Sequence, residues 1–147
     1  MAITNYDSLT LDNNLVVGGT TTFASAPTGP QTVTTVVFSA LVGATVALTA
    51  AQSGGVFINR STSGSPSWTL PTNVAGLTYT FLVSNTTAGF TVTGGTIFAR
   101  ANPNGASVTG TTLTNTQATA VIGDAITLVA DGTSWRATSQ LGIFAAA

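Results

Sequence analysis

The chain has 147 residues, no Cys, no His, a formal net charge of −1 and 5% charged residues, where a soluble domain usually carries roughly a quarter. Its cations are Arg60, Arg100 and Arg136 and its acids Asp7, Asp12, Asp124 and Asp131, which argues against a phosphate-neutralising stripe and hence against direct nucleic-acid binding. Thiol catalysis, structural zinc, Ser-His-Asp chemistry and haem ligation by His or Cys all lack their usual groups, so no catalytic residue, metal site or cofactor is expected.

Residues 1–32 read as an extended arm and linker. Leu9-Thr10-Leu11, Leu15-Val16-Val17 and Thr20 to Phe23 are very short extended pieces, broken by Asp12-Asn13-Asn14 and Gly18-Gly19. Asn and Gly tolerate positive φ, so each break can redirect the chain. Ala24 to Pro30 is a linker held extended by Pro27 and Pro30. Leu9, Leu11, Leu15, Val17 and Phe23 are separated by even numbers of residues and so point one way from an extended chain. They are the expected anchors of a partner-binding arm, which adds as a strand to its partner. Met1 to Asp7 has neither a basic nor an apolar stretch, so no signal peptide is expected. No apolar run approaches the ~20 residues of a spanning helix, so no membrane partner is expected.

Residues 33–147 predict a β-domain. Val33 to Phe38 and Leu41 to Leu48 are rich in β-branched residues, and Thr49 to Gly55 suits one helical turn with a Thr cap and a glycine stop. Val56 to Ile58 and Trp68 to Leu70 read as short strands. The clearest alternation follows, with Leu77, Tyr79, Phe81 and Val83 on one face and Thr78, Thr80, Leu82 and Ser84 on the other. Phe90 to Thr93 and Thr96 to Ala99 read as two strands joined by a Gly94-Gly95 turn, and Asn102 to Gly105 is another turn. Ala125 to Ala130 and Thr133 to Thr138 form a hairpin about Asp131-Gly132, a pair that favours tight reversals. Short strands at intervals near ten residues, with no βαβ alternation, predict an all-β fold, an antiparallel β-sandwich or jelly-roll-like barrel. The 30 threonines, with Ser, Asn and 16 Gly, cover the surface that charges would otherwise cover.

Each candidate site has a structural reading beside the functional one. Trp68 and Trp135 suit sugar stacking, but core filling is the expected role. The arginines suit structural ion pairs with Asp124 and Asp131, and Asp131-Gly132 is a turn and not a calcium loop. Asn59-Arg60-Ser61 and Asn85-Thr86-Thr87 match glycosylation sequons, read here as coincidence in a Thr-rich chain. The apolar run Leu141 to Ala147 is either a last core strand or a subunit contact. Leu141, Ile143 and Phe144 are therefore candidate trimer contacts, since symmetric closure buries a repeated apolar patch.

Several passages resemble modules of tailed-phage structural proteins. Leu48 to Phe57, Trp68-Thr69-Leu70-Pro71 and Ala75 to Phe81 resemble a turn, an edge and a strand recurrent there, and Ile126 to Trp135 is similar to the closing hairpin. Leu9 to Thr22 resembles the short strands of trimeric phage fibre shafts. The resemblance implies a virion protein. A capsid decoration (cement) protein on the outer capsid surface, trimeric and clamping neighbouring major capsid proteins with its arm, suits the short chain. A tail or head fibre or receptor-binding protein is the alternative, and a carbohydrate-binding β-sandwich module is the second.

Overall fold

The computed structural model describes residues 37–40, 45–61, 63–84, 88–116 and 118–147. The arm expected over residues 1–32, with Leu9, Leu11, Leu15, Val17 and Phe23, lies outside them. Within the described residues the strands are β1 (Val37–Ala40), β2 (Thr45–Ala47), β3 (Val56–Asn59), β4 (Ser67–Thr69) and β5 (Thr78–Val83). They continue with β6 (Phe90–Arg100), β7 (Ser107–Asn115), β8 (Ala125–Ala130), β9 (Trp135–Leu141) and β10 (Ala145–Ala146). A single 3₁₀ turn, Ala50–Gln52, interrupts them where the helical turn was expected. The fold is all-β.

All the strands belong to one 10-stranded mixed sheet, which corrects the expectation of a purely antiparallel sandwich. Strands β1, β3 and β5 stack in parallel, and so do β2, β4 and β6. The reason lies in the connections. Each odd strand hands the chain across the core to an even one, and the next odd strand starts again from the same end. Phe57 on one track meets Trp68 on the other with ring centroids 6.3 Å apart, so the tracks face each other over a shared interior. Strands β8 and β9 then close the gap: β5 pairs β8, β8 pairs β9, and β9 joins β6 at Ile97↔Trp135 and Phe98↔Arg136.

Gly94 and Gly95, expected as a turn between two strands, instead form a bulge inside the single strand β6. Both have positive φ, +136° and +31°, which a side chain resists. Before the bulge β6 borders β4, and after it the same edge borders β9. The bulge is thus where one track gives way to the closing hairpin. That hairpin has the four-residue loop Asp131–Ser134, and not the tight two-residue reversal expected. Asp131 Oδ1 accepts the backbone N–H of Thr133 and of Ser134, which fixes the wider turn.

The interior is one aromatic cluster. Phe57, Tyr79, Phe81, Phe90 and Trp135 are fully buried and Trp68 nearly so, so both tryptophans have the core role that was expected. Trp68 sits 5.2 Å from Phe81 and 5.6 Å from Phe90, and Tyr79 sits 5.5 Å from Trp135. Each buried side chain of this size contributes about 1.5–3 kcal/mol by leaving water. Outside, threonines meet across strand boundaries: the hydroxyls of Thr80 and Thr127 are 3.0 Å apart and those of Thr69 and Thr93 3.2 Å apart. Such cross-strand pairs steady a sheet whose outer face carries almost no charge.

Candidate functional site

Two turns meet at one end of the domain around a single buried carboxyl, Asp124, 6% exposed. The first, residues 120–124, brings the Val121 N–H to Asp124 Oδ2 at 3.1 Å and the Asp124 N–H to the Val121 carbonyl at 3.0 Å. The second follows β9. Asn115 Nδ2 donates to Asp124 Oδ2 at 2.9 Å and to the Ile143 carbonyl at 3.2 Å, so one buried amide ties both turns together. Gly142 passes between them with φ +102°, and a Cβ there would run into the Asp124 carboxyl. Nearby, Asn59 Nδ2 donates to the carbonyls of Ala88 and Gly89 at 2.6 and 2.7 Å, and Asn59 Oδ1 accepts the Ser61 N–H at 2.8 Å. A Cβ on Gly89 would overlap the Asn115 carbonyl. Asn115 Oδ1 is buried without a hydrogen-bond partner, so this end is held in place by the bonds of Asn59, of Asn115 Nδ2 and of Asp124.

On that rigid base stand four exposed apolar side chains. Val121 and Leu141 are each 59% exposed, Ile122 61% and Ile143 49%. Leu141 pairs Ala125, next to Asp124 in the chain, so both turns carry their apolar residues close to the same carboxyl. Apolar side chains exposed from two turns that share one buried carboxyl are a candidate contact surface. The apolar run 141–147 therefore splits. Leu141 and Ile143 face solvent, whereas Phe144 is 2% exposed and stacks 5.8 Å from Phe90 in the core. Phe144 is thus corrected from candidate contact to core residue, because the positive-φ turn at Gly142 redirects the chain before it. Ala145 and Ala146 then pair with β7.

The chain matches no known protein family and no curated protein.

The other candidates separate cleanly. Arg136 Nε is 2.7 Å from Asp131 Oδ2, the ion pair expected at the hairpin, whereas Asp124 is held by Asn115 and the Val121 N–H and has no arginine partner among the described residues. Asn59 is fully buried, so its sequon serves the fold, and Asn85 lies outside the described residues. Among the described residues no three His, Cys, Asp or Glu side chains gather in a way that could hold a metal. Val121 and Ile122 escaped the sequence reading. Their signal is a pair of branched apolar residues directly before a Gly-Asp turn, where polar residues are the rule.

The Arg136 guanidinium, with the N–H groups of Thr133 and Ser134, holds the Asp131 carboxyl well below the ordinary carboxylate range. The sign follows from linkage. A carboxyl with a depressed pKa in the folded state contributes stability that is present above its ordinary value of 3.8 and is lost as the pH falls through the folded value. Melting temperatures of the parent are therefore expected to fall between pH 4 and pH 2 more steeply than those of Asp131→Asn. The pair faces solvent, so added salt narrows the difference. Parallel curves for the two proteins would remove this account.

Proposed function

We propose that this chain is a virion structural protein, a capsid decoration protein that binds the outer capsid surface as a trimer and steadies contacts between major capsid proteins. The observation that carries the reading is the apolar rim of Val121, Ile122, Leu141 and Ile143 on its rigid support. A rim of that kind is suited to a permanent contact with a second copy, because its support is not free to reorganise and ordering it costs little. The hydroxyl-rich, nearly uncharged outer face suits a protein that adheres by shape, with contacts that depend little on salt. On this reading residues 1–32 supply the reach to neighbouring capsid subunits, through Leu9, Leu11, Leu15, Val17 and Phe23.

Light scattering at micromolar concentration is expected to give three times the chain mass for the parent. Leu141→Asp with Ile143→Asp is expected to give one chain mass with unchanged circular dichroism, since both side chains are exposed. A monomeric parent removes the trimer. Mixing the parent with capsids that lack the protein decides the location: attachment over the shell supports decoration, and attachment at a tail tip selects the fibre reading.

A further inference from the structure

The backbones of strands β6 and β9 pair at Ile97↔Trp135 and Phe98↔Arg136, and beyond that point the Gln140 side chain bridges from β9 to Arg100 of β6. At this junction lies a groove of about 440 Å³, lined on one side by Phe98, Arg100 and Ser107 and on the other by Arg136, Thr138 and Gln140. Its size is that of a small-ligand site. Two of the chain's three cations line it, in a protein whose net charge is −1.

The two guanidiniums differ. Arg136 lies over the Phe98 ring, 4.4 Å from its centroid, and is paired with Asp131. Arg100 has no carboxylate partner among the described residues, and its Nη1 makes one long hydrogen bond, 3.4 Å, to the Gly105 carbonyl. An exposed guanidinium in a concave site, with its fork nearly free, is suited to a carboxylate or a similar planar anion. Beside the arginines the lining mixes hydroxyls, from Ser107, Thr138 and Ser139, with apolar surface from Phe98, Pro103 and Ala137, a combination suited to the hydroxyls and the apolar face of a sugar ring.

The groove is also closed to strand addition. Gln140 Oε1 accepts the Arg100 N–H at 3.1 Å, and Gln140 Nε2 donates to the Arg100 carbonyl at 2.6 Å. The side-chain amide thus stands where a neighbouring strand would bond, so an acidic peptide has no free edge to pair with at that point. We propose that this groove binds an acidic saccharide, with Arg100 receiving the sugar carboxylate and Ser107 and Thr138 facing the ring hydroxyls. The assignment does not depend on where the protein sits in a virion or on its oligomeric state.

The test is calorimetric titration of the full chain with trigalacturonate, with maltotriose as the neutral control and a tri-aspartate peptide as the acidic one. Trigalacturonate is expected to bind, weakly and with an affinity that falls as salt is added, and maltotriose is expected not to bind measurably. Arg100→Gln is expected to lower the affinity about tenfold or more, the scale of a lost charge-assisted contact, without moving the melting temperature. Arg60→Gln, outside the groove lining, is expected to change nothing. No binding of trigalacturonate, equal binding of maltotriose, tighter binding of the peptide, or an Arg100→Gln affinity equal to the parent's would each overturn the proposal.

Discussion

Trp68→Ala is expected to lower the unfolding free energy by about 3–5 kcal/mol, the range for removing a large aromatic side chain from a packed core. Trp68 is 1% exposed and lies on β4, the middle strand of its parallel track. Its ring meets Phe57 and Phe81 of the opposite track and Phe90 of its own. Truncation therefore opens a cavity between the tracks, and neither track can collapse into it without shifting in-register partners. Trp68→Phe keeps most of those contacts and is expected to lose clearly less. Equilibrium denaturation of the three proteins checks this. A loss for Trp68→Ala below about 1 kcal/mol, the scale of ordinary surface changes, would mean that the ring does not join the tracks.

Asp124→Ala is the second large effect. It deprives Asn115 Nδ2 of its 2.9 Å acceptor and the Val121 N–H of its 3.1 Å acceptor, at a site that water hardly reaches. Each orphaned donor costs about 1–3 kcal/mol, so a total loss of about 2–6 kcal/mol is expected. Asp124→Asn can place its oxygen where Oδ2 stands and keep both donors, Asn115 Nδ2 and the Val121 N–H, while its new NH2 takes the Oδ1 position, where neither donor points. It is expected to fall between the alanine variant and the parent. Denaturation midpoints rank the three, and an alanine variant as stable as the parent would show that the two turns hold themselves. In the proposed trimer those turns carry the contact residues Val121, Ile122, Leu141 and Ile143, so on that proposal the alanine variant is also expected to associate more weakly, read by light scattering.

What could be read from the residues depended on how local the cause was. The alternation from Leu77 to Val83 is a contrast between two faces of one strand, and β5 shows it directly, with Tyr79, Phe81 and Val83 buried. The Asp131-Gly132 hairpin is likewise set by neighbours in the chain. The parallel stacking is not local. Thr69 lies beside Thr93, 24 residues on, and the pairing of Phe57 with Phe81 and of Trp68 with Val92 repeats that interval. The spacing from Phe38 to Phe57 is shorter, and this hides the repeat.

Strand β7 was not foreseen for another reason. Its outward positions are threonines, its first half is largely exposed, and Gly110 is there because the backbone of Ala147 passes where a Cβ would stand. At the candidate site, the different fates of Leu141 and Phe144 turn on the backbone at Gly142, which hydrophobicity does not encode.

The order of the strands along the chain has a consequence for the growing polypeptide. Phe57, Trp68, Phe81 and Phe90 are all made before residue 91, yet the hairpin that closes the interior over them begins only at β8. Trp135 and Phe144, which complete the ring cluster, come later still. At roughly 5–20 residues per second, synthesis from Phe90 to Phe144 leaves those rings without their lid for seconds. During that interval the two tracks present a sticky apolar trough in which a second nascent chain can lodge. The hazard grows with the concentration of nascent chains, and the yield of folded protein is then set by how fast the last third of the chain arrives and folds down.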